Sequence, residues 1–314
     1  MNWFFTVGWG RLVRMTLSGL YVPLITPFDA AGAVALDALE SLAHSVLDEG
    51  AAGLVALGTT GEPTSLNPDE RRAVVDVAAR VCRSGSAPLI VGAGSAGALL
   101  ALRDRPEVVA ALAVVPPFVR PGEAGVLAHF QRLAAGSPVP LVVYDVPYRT
   151  GQYLSADALR RIAAVPGVVG VKYAAGGINA DTVALMGDPP PGFSILGGDD
   201  AFISPLLALG AHGGILASAH VETAAYASLV SAWRDGDVDT GRSLGHRLGA
   251  LSMALFAEPN PTVLKGVLHE QGRIPTASVR LPLLAARPDS IAAALRRTLS
   301  ELNRSIQTTG VFVS

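Results

Sequence analysis

Residues 165–175 read Val-Pro-Gly-Val-Val-Gly-Val-Lys-Tyr-Ala-Ala, an apolar run that begins with a Pro-Gly turn. Its apolar residues are continuous rather than alternating, which is typical of a strand in a parallel sheet covered on both faces. Seven other short apolar runs of this kind occur along the chain. The sequence therefore predicts eight strands, at Leu20–Thr26, Gly53–Leu57, Leu89–Val91, Ala111–Val115, Pro140–Tyr144, Val168–Lys172, Ser194–Leu196 and Gly213–Leu216.

Segments with helical periodicity separate these strands. Eight repeats of a strand followed by a helix predict an α/β fold, a (β/α)8 TIM barrel over residues 18–237. The third unit is weak because Pro106 interrupts residues 94–110. An open doubly wound sheet is the alternative, but no Gly-x-Gly-x-x-Gly motif follows the first strand. The predicted barrel helices are Leu36–Asp48, Pro68–Arg83, Gly122–Ala135, Ser155–Ala164, Asn179–Met186, Ala201–Leu209 and Val221–Asp235.

The two ends of the chain differ from the barrel pattern. Residues 238–304 are helical only, and we expect them to pack on the barrel as a C-terminal helical appendix, followed by a tail at 305–314. Residues 1–17 are interpreted as an N-terminal extension, because their apolar stretch precedes the arginines, the reverse of a signal peptide. Met15 is an alternative start. The predicted appendix helices are Val238–Phe256, Pro261–Glu270 and Ser290–Asn303.

Composition limits the functional classes. The chain has 314 residues, of which 50% are hydrophobic and 16% charged, so it has enough apolar surface for a large core. A net charge of -2 gives no reason to expect nucleic acid or an anionic membrane as partner. No segment reaches the roughly 18 uninterrupted apolar residues of a membrane span. The single cysteine, Cys82, excludes an intrachain disulfide, which fits a reducing, cytoplasmic location.

Lys172 is the most informative residue of the opening stretch. The chain has only two lysines among 24 lysines and arginines, and one of them lies in this apolar run. Arginine keeps its proton in proteins, whereas a desolvated lysine can lose it. A neutral amine can attack a carbonyl group and form a Schiff base. The alternative is a lysine at a strand end whose amine extends to solvent.

The active site of a (β/α)8 barrel is built from the C-terminal ends of its strands. Those ends bring together Thr59 and Thr60 after the second strand, Tyr144 and Arg149 after the fifth, and Lys172 after the sixth. Each also has a structural interpretation: hydroxyls that cap a helix, a core ring, and a solvated loop charge. The same holds for Asp199 and Asp200 after the seventh strand, which by themselves are most simply helix caps. Scattered histidines give no metal-binding spacing, so no metal or other cofactor is expected.

Five ordered motifs carry a family resemblance that runs from about Gly19 to Ser290. The chain resembles the dihydrodipicolinate synthase / N-acetylneuraminate lyase family of Schiff-base aldolases, and the resemblance implies a (β/α)8 barrel with C-terminal helices, commonly in a homotetramer. The motifs are Gly58-Thr-Thr-Gly-Glu62, Tyr144-Asp-Val-Pro-Tyr-Arg-Thr-Gly151, Val171-Lys172, Gly198-Asp-Asp200 and Glu258-Pro-Asn-Pro261.

The resemblance also implies a role for each matching residue. Lys172 would attack the ketone of pyruvate, Tyr144 would move protons at the reacting carbon, and Thr59 would relay them. Thr60 would hold the pyruvate carboxylate, and Arg149 the carboxylate of the second substrate. Gly198 and Ile215 are expected at the substrate site as well.

Some positions depart from the family pattern. Phe118 aligns with a second tyrosine that, in synthases, reaches the site of a neighbouring subunit, and a phenylalanine cannot relay a proton. Pro117 replaces an aromatic residue that lies at the lysine-inhibitor site of some synthases. Tyr173 follows the lysine where family members usually have glutamate. These changes, with the short third helix, put synthase activity, lysine feedback and the usual tight dimer in question.

The predicted function is a lyase of the 4-hydroxy-tetrahydrodipicolinate synthase type, which condenses pyruvate with an aldehyde such as aspartate semialdehyde. Arg149 favours an acidic second substrate. One alternative is a related aldolase or dehydratase of another 2-oxo acid, and another is a non-catalytic barrel that binds a 2-oxo acid as a sensor. The expected partners are small-molecule substrates and further copies of the chain, in a dimer or tetramer.

Overall fold

A closed barrel of eight parallel strands forms the body of the protein. The structure is a computed structural model that describes residues 16–309, with side chains to residue 298. The strands follow one another round the barrel in chain order, and β8 closes it by pairing with β1. The predicted TIM barrel is confirmed. Its strands are β1 (Gly19–Pro23), β2 (Gly53–Ala56), β3 (Leu89–Gly92), β4 (Val108–Val114), β5 (Leu141–Asp145), β6 (Val168–Tyr173), β7 (Ser194–Gly197) and β8 (Gly213–Ile215).

Helices α1 to α9 follow the strands, and α10 to α12 form the predicted appendix. The appendix contacts the barrel mainly through α9, the 3₁₀ turn Asp200–Phe202 and α8. Among the described residues, no helix is both long and apolar enough to span a bilayer. The helices are α1 (Leu36–Asp48), α2 (Pro68–Ser84), α3 (Ala96–Leu100), α4 (Gly122–Gly136), α5 (Pro147–Thr150), α6 (Ala156–Ala163), α7 (Ala180–Gly187), α8 (Ile203–Ala208), α9 (Thr223–Asp235), α10 (Val238–Leu255), α11 (Thr262–Glu270) and α12 (Pro288–Thr309).

Most predicted elements are found with small shifts at their ends. Asn67 and Ser155 cap α2 and α6 with their side chains, as side-chain oxygens that accept backbone N–H groups do at helix starts. The third unit is reduced to the five-residue α3. The short α5 was not predicted, because four residues carry no periodic signal.

Three boundaries are corrected. The predicted helix Ala201–Leu209 is a 3₁₀ turn at Asp200–Phe202 followed by α8. Helix α12 continues to Thr309, so the first part of the predicted tail is helical, and residues 310–314 lie outside the described residues. Leu17, placed by sequence in the N-terminal extension, is buried among the side chains inside the barrel, and its N–H donates to Ser194 Oγ at 2.8 Å. Residues 1–15 of that extension also lie outside the described part.

A buried ion pair fastens the C-terminal segment to the loop after β2. Lys265 on α11 is fully buried, and its Nζ donates to Glu62 Oε1 at 2.5 Å and to the Ser278 carbonyl at 2.9 Å. The second Glu62 oxygen accepts the backbone N–H of Arg280 at 2.9 Å. Phe28 contacts both cations, with Lys265 Nζ 4.1 Å and the Arg280 guanidinium carbon 4.4 Å from its ring centroid. The appendix therefore holds the Gly58–Glu62 loop in place.

We predict that Lys265→Met lowers the free energy of unfolding by about 3–5 kcal/mol, because it leaves Glu62 as a buried charge without its cation. The measurement is urea unfolding followed by circular dichroism. Arg72→Met is the matched control, since the Arg72 and Asp69 side chains are 65% and 85% exposed. That variant should change the free energy of unfolding by less than about 1 kcal/mol. Equal effects of the two substitutions would contradict the proposed importance of the buried pair.

Candidate active site

Lys172 lies near the C-terminal end of β6, between Tyr144 of β5 and Leu196 of β7. Its side chain is buried, with 6% of the residue exposed, and its Nζ lies 4.4 Å from the centroid of the Tyr144 ring. Gly198 leaves room for this side chain. A Cβ atom at position 198 would lie 2.9 Å from both Cγ and Cε of Lys172. The structure thus brings Lys172, Tyr144 and Gly198 together, as the sequence predicted.

Burial lowers the pKa of the Lys172 amine from 10.5 to about 8, because the charged form loses water. The negative charges of Asp200 and Asp199 oppose this shift, and the positive charge of Arg149 adds to it. Burial also raises the pKa of the Tyr144 phenol, while Arg149 and hydrogen bonding with the Thr59 side chain work in the opposite direction. The amine and the phenol are therefore both more neutral than they would be in water.

Asp199 and Asp200 do not cap the helix that follows them, so the structural interpretation of these residues is wrong. Asp200 is buried and accepts the Ser218 N–H at 2.6 Å. Asp199 accepts the Gly176 N–H at 2.7 Å and the Tyr148 hydroxyl at 3.3 Å. Burial raises the pKa of Asp200 to about 6, and the charge of Lys172 opposes that rise. The charges of the two carboxyls act on the lysine, and their hydrogen bonds tie the loops after β6, β7 and β8 together.

Thr59 and Thr60 lie in a 3₁₀ turn after β2, and neither caps a helix. Thr60 is buried, and its hydroxyl oxygen accepts a hydrogen bond from Asn260 Nδ2 at 2.9 Å. Thr59 is exposed at the mouth of the barrel. Asn260 was not predicted as a site residue, although the motif Glu258-Pro-Asn-Pro261 contains it. Its contact joins positions 200 residues apart, which local patterns do not reveal.

Arg149 is exposed on the short helix α5, with its guanidinium carbon 5.9 Å from the centroid of the Tyr148 ring. It lines a cavity of about 580 Å³ at the barrel mouth together with Thr59, Tyr144 and Asn260. Lys172 is not part of the cavity wall. Its amine lies against the ring of Tyr144, and Tyr144 is part of that wall. Residues 280–283 of the C-terminal segment also line the cavity, which the sequence did not predict.

Ile215, at the end of β8, is fully buried inside the barrel with Leu196 and Tyr144, and it does not line the cavity. Within residues 16–298, no group of three or more His, Cys, Asp or Glu side chains is placed to hold a metal ion.

The fold and this site define a class of protein. A (β/α)8 barrel whose mouth holds a desolvated lysine beside a buried phenol and two threonine hydroxyls has the groups that a Schiff-base lyase needs.

Comparisons with known proteins identify the family. The sequence profile of the dihydrodipicolinate synthetase family matches residues 16–302. The 4-hydroxy-tetrahydrodipicolinate synthase 2 of Clostridium acetobutylicum is 34% identical over 275 residues, which cover 86% of this chain and 95% of that protein. The chain belongs to the dihydrodipicolinate synthetase family, and it is a pyruvate-condensing lyase similar to 4-hydroxy-tetrahydrodipicolinate synthase.

Solved structures agree with this assignment. A chloride-inhibited dihydrodipicolinate synthase from Acinetobacter baumannii, complexed with pyruvate, is 31% identical and superposes with a TM-score of 0.84 over 90% of this chain and 99% of that one. A dihydrodipicolinate synthase variant described as the first monomeric one is 29% identical, with a TM-score of 0.83 over 91% of this chain and 97% of that one. The predicted family and class of enzyme are confirmed.

We predict that the Lys172 amine titrates near pH 8 in the free enzyme, because burial disfavours its charged form. Below that pH the amine is protonated, and above it the amine is neutral. A chain with two lysines allows a direct measurement: carbon-13 NMR of lysine-labelled protein, with the Cε signals followed against pH and assigned with Lys172→Arg. A Lys172 signal that titrates near the ordinary lysine value of about 10.4 would contradict the prediction.

Proposed function

We propose that the chain condenses pyruvate with an aldehyde that carries a carboxylate, aspartate semialdehyde being the first candidate, through a Schiff base on Lys172. The position of the Lys172 amine carries the proposal: it is buried, its pKa is about 8, and it lies 4.4 Å from the ring centre of a buried tyrosine. Forming a Schiff base requires an unprotonated amine, and a pKa near 8 supplies a useful fraction of it at neutral pH.

In the first stage the Lys172 nitrogen attacks the ketone carbon of pyruvate, and the π electrons of the C=O bond move to the oxygen. The nitrogen then gives up one proton and the oxygen takes up one, which gives a neutral carbinolamine. The hydroxyl then takes up a second proton and leaves as water, and the nitrogen lone pair forms the C=N bond of a protonated imine. We assign these proton transfers to the Tyr144 phenol, which stays protonated at neutral pH because its pKa is raised. Thr59, which interacts with Tyr144, connects the phenol to the mouth of the barrel.

In the second stage the methyl carbon of the imine loses a proton, and the electron pair of that C–H bond forms an enamine. The enamine carbon attacks the aldehyde carbon, a C–C bond forms as the C=N bond of the imine is restored, and the aldehyde oxygen takes up a proton. Addition of water to that imine then releases the product and returns Lys172 as a free amine. Thr60 is assigned to the pyruvate carboxylate. Because Asn260 donates to the Thr60 oxygen, the Thr60 O–H remains available to donate to a carboxylate oxygen. Gly198 gives Lys172 its space, and Ile215 supports the floor of the site.

Borohydride trapping tests the Schiff base. With pyruvate and borohydride, one reduced pyruvyl unit should appear on Lys172 and none on Lys265, as located by mass spectrometry of peptides. Lys265 is a stringent internal control, because burial lowers its pKa to about 8 as well. Its amine is held by Glu62 and Ser278 and is fully buried, so it is closed to pyruvate. Labelling of Lys265, or an unlabelled Lys172 in folded protein, would overturn the proposal.

Arg149 is assigned to the carboxylate of the aldehyde substrate. Its exposed guanidinium at the cavity edge suits bidentate binding of a carboxylate, a geometry that lysine does not reproduce. We predict that Arg149→Lys weakens use of the second substrate by about 1–3 kcal/mol, measured as kcat/KM for aspartate semialdehyde. Pyruvate trapping on Lys172 should survive in the same variant. Equal losses in both assays would show that Arg149 acts on pyruvate or on the fold instead.

A second candidate function is a related aldolase or dehydratase that acts on a different 2-oxo acid. The observation in its favour is Phe118, which is 88% exposed and carries no hydroxyl at the position where synthases have a relay tyrosine. The same borohydride assay separates the two candidates when it is run with a panel of 2-oxo acids, since the preferred acid gives the fastest trapping.

We further propose that the chain forms a homo-oligomer, a dimer or a tetramer, through the loop after β4. Phe118 and Val119 in this loop are 88% and 76% exposed, and apolar residues exposed side by side suit burial against another chain. Light scattering on the purified protein should give a mass of two or four chains, and Phe118→Asp should shift it towards one chain. A wild-type protein that stays monomeric at micromolar concentration would contradict this, and would align it with the relative described as monomeric.

A further inference from the structure

A second cavity lies outside the barrel wall and shares no lining residue with the cavity at the mouth. It has a volume of about 240 Å³ and is lined by the start of α4, the end of β5, and the segments that lead into α6 and α7. Side chains alternate along a strand, so Asp145 points outwards where its neighbour Tyr144 faces the barrel interior. We call this space the Asp145 cavity. Its polar walls include Glu123, Asp145, Ser155, Tyr173, Asn179 and Asp181.

Asp145 is the unusual member of this set. The residue is only 2% exposed, and its Oδ1 atom has no hydrogen-bond partner among the described residues. A buried carboxylate that lacks both a donor and a cation costs several kcal/mol, so native proteins almost always provide one. Burial, helped by the negative charge of Asp199, raises the Asp145 pKa to about 7, and no cationic side chain in the described part opposes the rise. The Oδ1 atom therefore lacks a hydrogen-bond donor, and no cation in the described part offsets the charge of the carboxylate.

Of the other two carboxyls in the cavity wall, Asp181 is the one that makes the cavity more negative. Glu123 accepts the Ser155 N–H at 2.8 Å and pairs with Arg161 at 3.0 Å, so its charge is compensated. Asp181 accepts the Ala156 N–H at 3.1 Å and forms no ion pair with a cationic side chain in the described chain. When Asp145 is ionised, its charge and that of Asp181 line the cavity without an ion-pair partner among the described residues. Such an excess favours a positively charged occupant.

The walls distinguish between kinds of cation. The described residues contain no metal-binding group of three or more His, Cys, Asp or Glu side chains. Leu154, Pro147 and the rings of Tyr153 and Tyr173 provide apolar surface beside the carboxyls, which a bare metal ion does not use. A space of about 240 Å³ is several times the roughly 30 Å³ share of one water molecule, yet it lies below the usual range of drug-sized pockets.

We propose that the Asp145 cavity binds a small organic cation, a primary ammonium on a short apolar chain, with the Asp145 carboxylate as its counter-ion. The ammonium supplies the donor that Oδ1 lacks and neutralises the buried charge. Its apolar chain lies against Leu154 and the tyrosine rings. The Asp145 cavity is separate from the Schiff-base site. The proposed ammonium binding and the proposed Schiff-base chemistry can therefore be tested independently.

Isothermal titration calorimetry with three probes of one size tests the proposal: n-butylammonium, n-butanol and butyrate. At pH 8 Asp145 is ionised, while an alkylammonium, like a lysine side chain with a pKa of about 10.4, keeps its charge. We expect saturable binding of butylammonium alone. Asp145→Asn keeps the shape of the side chain and should weaken that binding at least about tenfold, a factor that corresponds to about 1.4 kcal/mol. Asp69→Asn, at an 85% exposed side chain on α2, is the control and should leave the affinity unchanged.

Asp181→Asn is a second variant, which also removes a charge from the cavity and lies on the exposed start of α7. This substitution should also weaken the binding of butylammonium. If Asp145→Asn does not fold, Asp181→Asn provides the test of the proposal. The proposal is overturned if the wild type shows no saturable binding at millimolar butylammonium, or if butanol binds as tightly. Unchanged affinity in folded Asp145→Asn, or in Asp181→Asn where the first variant fails to fold, overturns it equally.

Discussion

The desolvation of one amine is the constraint on which the site depends. Lys172 lies at the end of an apolar strand, where a protonated amine is unfavourable and a neutral one is useful. Two carboxyls moderate this effect, and both are themselves desolvated, so Lys172, Asp199 and Asp200 each hold charge less readily than in water. The loops after β6, β7 and β8 are joined through the same carboxyls, so the electrostatics of the amine and the shape of the barrel mouth are set together.

The two lysines of this chain show why a shifted pKa does not by itself identify a nucleophile. Burial lowers the pKa of both amines to about 8. The Lys265 amine donates hydrogen bonds to Glu62 and to the Ser278 carbonyl. It thereby joins the appendix to the loop that carries Thr59 and Thr60. Lys172 makes no such ion pair within the described residues, and its amine lies over the Tyr144 ring. One lysine thus stabilises the site, while the other is left able to react, because their partners differ.

Neighbouring residues of β5 serve two separate spaces. Tyr144 belongs to the interior of the barrel and Asp145 to the cavity outside it, since a strand directs successive side chains to opposite faces. Their backbones are shared, and the Asp145 carbonyl accepts the N–H of Ala174, two residues beyond Lys172. The strand therefore fixes the outer carboxyl and the inner phenol in one rigid geometry. A ligand in the Asp145 cavity would therefore contact the same strand that forms part of the wall of the active site.

The sequence by itself determined the barrel and the order of its strands, and it placed Thr59, Tyr144, Arg149 and Lys172 at or just beyond the C-terminal ends of those strands. Continuous apolar runs that alternate with helices are compatible with few folds other than a covered parallel sheet. In a barrel, the C-terminal ends of such strands lie at one rim. Only the tertiary structure decided that Asn260 supports Thr60 and that residues 280–283 line the cavity. It also decided that Asp199 and Asp200 accept hydrogen bonds from the loops after β6 and β8 instead of capping a helix. It alone left the buried Oδ1 atom of Asp145 without a hydrogen-bond partner among the described residues. These features rest on contacts between segments far apart in the chain, and the spacing of residues along a sequence carries no information about which distant groups burial will bring together.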